Sequence, residues 1–333
     1  MNNGRVYPMV TVGFVAKEKF NLAGRTLEAL IAHAAIPFNL IIVDCNMPPR
    51  YRAEMDRVLA SNPGINARII RVGRYLQPNQ AKNIVVREST DDYIALVEND
   101  SFVPPGWLPD LLDACLEYPD GCMVFPEMFE GPVENGLPHV DPGIGGIRSW
   151  RQEGEIVREI FCDESVRTRH LHPRRQVVGA SEAHVYLFPR KVFERIGGFD
   201  ERLTTREHCD LSLKLHEAGV PMVLDGNVRA SFYPAPPIHL DEWPFFRFVW
   251  NVRAAAATTD YLLGKWNLVN FPGSIGFVRS QAFRVHPVLW KAFEIACRRV
   301  PAFARHFRNE PLNSSAGKDA DDGVRLGSFR RDQ

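Results

Sequence analysis

The stretch Asp91–Asp92–Tyr93–Ile94–Ala95–Leu96–Val97–Glu98–Asn99–Asp100 constrains this chain more than any other. Its apolar run reads as a buried strand that stops abruptly at two carboxylates flanking one amide. Acids delivered to the end of a buried strand can hold a divalent ion, and such an ion offsets the charge that gathers on a diphosphate leaving group. A strand ending in a solvated acidic turn has the same pattern, so its meaning depends on its neighbours.

Those neighbours alternate strand and helix. Met9–Val15 reads as a buried strand, a polar break covers Lys17–Asn21, and a helical face follows through Leu22, Leu27, Leu30 and Ala34. Leu40–Val43 is a second strand ending at Asp44, Tyr51–Ala60 a helix, Ala67–Val72 a third strand and Gln80–Arg87 a helix. The fold class is α/β, with a mainly parallel sheet flanked by helices. In such sheets ligands sit beyond the carboxyl ends of the strands, where Lys17, Asp44 and Asp100 all fall.

Composition removes several classes. With 40 basic and 40 acidic residues in 333, and 45% hydrophobic residues, the chain can bury a core and has no net field that calls for nucleic acid. Six cysteines without a CxxC pair, and no basic-then-apolar start, point to the cytoplasm. No apolar run approaches the ~20 residues that span a bilayer. No GxGxxG follows a strand, which disfavours a dinucleotide oxidoreductase, and Gly13–Lys19 lacks the glycine density that a sugar nucleotidyltransferase needs to hold a triphosphate.

Further along, Pro104–Pro105–Gly106 turns into a helix led by Trp107. Residues 126–178 are rich in Gly, Pro and charge and read as long loops. Order resumes at Gly179–Pro189, followed by Gly197–Gly198–Phe199–Asp200–Glu201 and by a helix near Asp210–Ala218 that Glu207–His208–Cys209 leads into. In this order the first strand and loop, Asp44, Glu98–Asn99–Asp100, the GGFDE segment and Glu207–Asp210 resemble the family 2 glycosyltransferases with the GT-A fold. Gln80–Asn83 and Pro104–Leu108 resemble two further family segments, and the resemblance covers about residues 8–225.

The resemblance implies a nucleotide-diphosphate sugar as donor, UDP by default, and Mn²⁺ or Mg²⁺ as cofactor. Donor binding falls to Ala16, Lys17, Asp44, Lys82, Glu98 and Asn99, with Asp44 toward the nucleobase. Asp100 and Glu98 hold the metal, Glu98 standing where the family usually has Asp, and His239 is a weak third ligand. Inversion at the anomeric carbon needs a base for the acceptor hydroxyl, and either Glu207 or His208 occupies that place. Asp210, taken as the helix start, is a supporting residue able to cap backbone N–H groups. The acceptor, a glycan or a lipid-linked hydroxyl, falls to the region of Trp150, His170, His172 and Arg174.

On this reading residues 1–125 form the donor half, 126–235 the acceptor and catalytic half of the same domain, 236–310 a helical extension, and 311–333 a disordered tail. Residues 279–308 carry seven Arg or Lys against one acid, Glu294, interleaved with Phe283, Leu289, Trp290 and Phe293. A basic amphipathic helix of this kind either packs on its own domain or lies on a membrane surface. The departures at Glu98 and His208 keep a second possibility open, a protein of this fold that binds nucleotide-sugar without transferring it.

Overall fold

The computed structural model describes residues 6–134, 137–138, 145–162, 175–233, 237–272, 274–307 and 311–312. Strand β1 (Val10–Val15) is buried at every residue. From it the chain runs through helix Ala23–His33, β2 (Asn39–Cys45), helix Pro49–Ala60, β3 (Asn66–Val72), helix Pro78–Glu88 and β4 (Tyr93–Glu98). The four strands pair in parallel, in the order β3-β2-β1-β4, because each helix carries the chain back to the same edge. Gly13 lets helix Pro78–Glu88 lie directly on β1, since a Cβ there would stand 2.4 Å from Val85 Cγ1.

The second half reverses direction. After β5 (Ser101–Phe102), helix Trp107–Leu116, β6 (Met123–Glu130), β7 (Leu137–Pro138), β8 (Gly145–Gln152), β9 (Glu155–Cys162) and β10 (Arg175–Val178) comes β11 (Val185–Pro189). It inserts antiparallel between β4 and β6. Helices Arg190–Arg195 and Glu207–Glu217 then lead to β12 (Met222–Phe232), parallel to β6, and the sheet reads β3-β2-β1-β4-β11-β6-β12-β10. Part of the segment read as loops is thus ordered: β8 and β9 form a hairpin outside this sheet, from Gly145 opposite Cys162 to Gln152 opposite Glu155. Its residues, GGIRSWRQ and EIVREIFC, mix apolar and polar side chains without strict alternation, so a period of two does not announce it.

Beyond β12 the described residues are mainly helical: Trp243–Val249, Val252–Trp266, Ile275–Gln281, Pro287–Arg299 and Pro301–Arg305. This extension is fastened to the loop after β1. Arg284 and Glu18, both buried, pair at 2.7 Å, and Glu242 Oε1 accepts the backbone N–H groups of Phe20 (2.5 Å) and Asn21 (2.7 Å). None of the described helices is long and apolar enough to cross a membrane.

Candidate active site

The carboxyl end of β4 assembles the site through backbone register. Val15 lies opposite Glu98, and the Asn99 N–H donates to the Val15 carbonyl at 2.9 Å. Asn99 then shapes the loop after β1: its Oδ1 accepts the Lys17 N–H (3.1 Å) and its Nδ2 donates to the Lys19 carbonyl (2.6 Å). On the other side, antiparallel β11 places the residue before it against the same edge, and the Glu98 N–H donates to the His184 carbonyl at 3.0 Å.

The two acids of the motif meet opposite environments. Glu98 is fully buried. Its Oε1 accepts from Lys82 Nζ at 2.8 Å with Lys17 Nζ at 3.5 Å, and its Oε2 lies 2.7 Å from His184 Nδ1. Burial pushes the Glu98 pKa up, but Lys17, Lys82 and His184 together outweigh it and hold the carboxyl well below the usual range. Asp100, 2% exposed, is raised to about 6 by burial and by the charges of Glu98 and Glu18.

A second ion pair closes the site from helix Glu207–Glu217. Lys17 Nζ donates to Glu207 Oε1. Burial opposes charge on both partners, yet the Glu207 and Glu98 carboxylates hold the Lys17 ammonium well above its ordinary value, and Lys17 and Lys82 hold Glu207 below its own. Next to it, His208 Nδ1 stands 3.7 Å from Glu182 Oε2, which is 3.8 Å from His184 Nε2. Acid and imidazole therefore alternate from Glu98 through His184 and Glu182 to His208.

A divalent cation fits this donor set. Glu98, Asp100 and His184 each offer one ligand atom, all within 4.8 Å of one another, and the set is buried. Asp100 in particular is a buried carboxylate whose neighbours Glu98 and Glu18 oppose its charge, which a cation would offset.

Other residues singled out by sequence take different places. Lys82, 1% exposed, gives its ammonium to Glu98 and to the Ala183 carbonyl (3.2 Å), so it orders Glu98 from beneath. Asp44, also 1% exposed, accepts from the Met47 N–H and Arg52 Nε, both at 2.8 Å. Asp210 does not cap a helix: the helix begins at Glu207, and Asp210 Oδ1 accepts from Lys265 Nζ (2.5 Å) and Trp266 Nε1 (2.7 Å), tying the site to helix Val252–Trp266.

His239 is exposed, its ring edge-on to Tyr51 with centroids 6.4 Å apart, and the imidazole grouped with the acids is that of His184. Trp150 is 39% exposed on β8, opposite Val157. His170, His172 and Arg174 lie outside the described residues. His184 and Glu182 were missed by sequence reasoning. The available signal was their position just before the apolar strand Val185–Pro189, but its antiparallel direction had to be known to place them beside Glu98.

A mostly parallel sheet flanked by helices, with acids at the end of its fourth strand, defines an α/β protein of the GT-A type. The profile of glycosyl transferase family 2 matches residues 12–178, half of the chain, and the chain belongs to that family. It is 25% identical over 221 residues to the glucosyl-dolichyl phosphate glucuronosyltransferase of Haloferax volcanii. That match covers 63% of this chain, which spans about three-fifths (61%) of the length of this curated relative.

Two solved structures share the fold. GalNAc-T7 with UDP, GalNAc and Mn²⁺ superposes with a TM-score of 0.51 at 13% identity, over 88% of this chain and 58% of the other. The mannosyltransferase PcManGT from Pyrobaculum calidifontis, in complex with GDP-Man and Mn²⁺, gives 0.50 at 15% identity, over 90% and 79%.

Proposed function

We propose that the protein is an inverting, metal-dependent glycosyltransferase that moves a hexosyl unit from a nucleotide-diphosphate donor to a hydroxyl of a glycan or lipid-linked acceptor, in polysaccharide or glycoconjugate synthesis. The observation that carries this reading is the buried group of Glu98, Asp100 and His184 at the edge of β4, within reach of the Lys17–Glu207 pair. These three residues would hold Mn²⁺ or Mg²⁺, and the imidazole makes the set softer than the all-oxygen shell Mg²⁺ prefers. Bound there, the ion supplies a positive charge opposite the departing diphosphate.

The chain's own residues do the rest. Lys17 presents an ammonium at the mouth of the donor site, Lys82 fixes Glu98 in place, and Asp44 with Arg52 forms the floor on the nucleobase side. Glu207 is assigned as the group that takes the acceptor proton for its place beside the Glu98 group, which it reaches through Lys17, and the adjacent His208 is the second candidate. A lipid-linked acceptor draws support from the Haloferax relative, whose name specifies a glucosyl-dolichyl phosphate. The reducing cytoplasm suits buried cysteines held as thiols, among them Cys45, Cys115, Cys122 and Cys297. A second reading, donor binding without transfer, is favoured by the same Lys17–Glu207 pair, which occupies the base with a counter-ion.

The test is thermal stability of the protein with UDP, GDP, dTDP and CMP, each with and without Mn²⁺. A rise in melting temperature with one diphosphate that depends on metal is expected. A shift with no metal dependence would remove the metal from the mechanism, and no shift with any nucleotide would overturn the donor class. Glu207→Gln and His208→Ala then separate transfer from binding: both keep the nucleotide-induced shift, and the larger loss of turnover marks the base.

A further inference from the structure

We infer that the outward face of helix Pro287–Arg299 is a docking surface for an anionic phospholipid bilayer. The helix has two unlike faces. Inward, Phe293 stacks on Phe283 with centroids 4.6 Å apart, meets Trp290 at 5.3 Å and Phe307 at 5.0 Å, and is 4% exposed. The contacts with Phe283 and Phe307 tie the helix to the segments on either side of it in the chain. Outward, Val288, Ala292, Ile295 and Arg299 follow the spacing i, i+4, i+7, i+11, so they form one line along the axis, and all four are exposed.

That line is more apolar than solvent requires. Val288 is 67% exposed and Ile295 43%, Leu289 beside them 50%, and Val300 at the helix end 48%. Lys291 and Arg298 flank the stripe on one side, both exposed, and Arg299 ends it. Glu294, the acid of this helix, is turned partly inward and pairs with Lys291 at 3.4 Å. Apolar side chains bordered by cations along one side and at one end match a bilayer interface, where the stripe enters the acyl boundary and the cations meet lipid phosphates. A second copy of the same face would set cation against cation, which disfavours self-association. The surface deepens the lipid-linked acceptor of the proposed function and rests on that reading for its purpose alone.

The experiment is flotation of the full chain with vesicles of phosphatidylcholine containing about one-third phosphatidylglycerol, and with pure phosphatidylcholine, in the absence of any donor. Binding to the anionic vesicles alone, weakened at about 0.5 M salt, is expected. Leu289→Gln with Ile295→Gln should weaken it at least about tenfold, and Arg298→Gln or Arg299→Gln about fivefold each, with melting temperature unchanged because these positions face solvent. Equal binding to both vesicle types, no binding to either, or variants that bind like the parent would overturn the assignment. So would a concentration-dependent dimer that the double glutamine variant abolishes, which gives the face to a second copy. Because no nucleotide is present, failure here is separate from failure of the donor reading.

Discussion

The end of β4 and the outward face of helix Pro287–Arg299 treat charge in opposite ways. At the strand end, Glu98, Lys82 and Glu207 are buried and Lys17 is partly so, and they pair with one another, so each owes its position to a partner of opposite sign. On the helix, the apolar side chains face solvent, and Lys291, Arg298 and Arg299 are exposed beside them. The first arrangement fixes geometry before a ligand arrives, at a cost in desolvation. The second leaves its groups hydrated and gains only when another surface covers them. A site for chemistry and a site for docking can thus be told apart by whether their charges are buried or exposed.

The contrast breaks if the buried network is removed without consequence. Lys82→Met takes the closest ammonium from Glu98, with Lys17 and His184 still beside it, and a loss of about 3 kcal/mol in urea unfolding is expected. Adding Glu98→Gln to that variant should return part of the loss, since the buried charge that has lost a partner goes with it. Asp100→Asn acts on ligand rather than fold: the metal-dependent part of nucleotide binding should fall about 100-fold, or about 2.7 kcal/mol, read by titration calorimetry with and without Mn²⁺.

A smaller effect tests burial itself. Glu127, 3% exposed on β6, is pushed up to about 7 by burial, against the lowering pull of Arg229 at 3.2 Å. A carboxyl raised in the folded state favours folding fully below its unfolded value of about 4.5, and that contribution is lost as pH rises through about 7. Glu127→Gln should therefore be more stable than the parent at pH 8, on the order of 1 kcal/mol, with the advantage vanishing by about pH 5. Denaturant midpoints at the two pH values decide it, and an equal difference at both would assign Glu127 a role other than burial of charge. Smallest of all, Leu289→Gln should change stability by no more than about 0.5 kcal/mol. A larger loss would show that the helix face is packed rather than open.

Much of the parallel half could be read in advance because its signals are local. Val10–Val15, Leu40–Val43 and Tyr93–Val97 are apolar runs bounded by turns, and a strand ending in Glu98–Asn99–Asp100 declares its own edge. The β8–β9 hairpin is not legible because its apolar and polar residues do not alternate. A helix around Asp210 is legible, but it starts three residues earlier, at Glu207, and Asp210 bonds to Lys265 and Trp266, some 55 residues on, instead of capping it.

What the sequence determined by itself was the alternation of strand and helix, the delivery of Glu98 and Asp100 to a strand end, and a helix following Glu207 and His208. Periodicity and turn chemistry act over a few residues, so one chain suffices to read them. Tertiary structure decided which charges meet. Lys17 reaches Glu207 across 190 positions and His184 reaches Glu98 across 86, through a loop shaped by Asn99 and a strand inserted antiparallel. Ion pairs have no period along a chain, and burial, which gives them their strength, exists only once the sheet has closed around them.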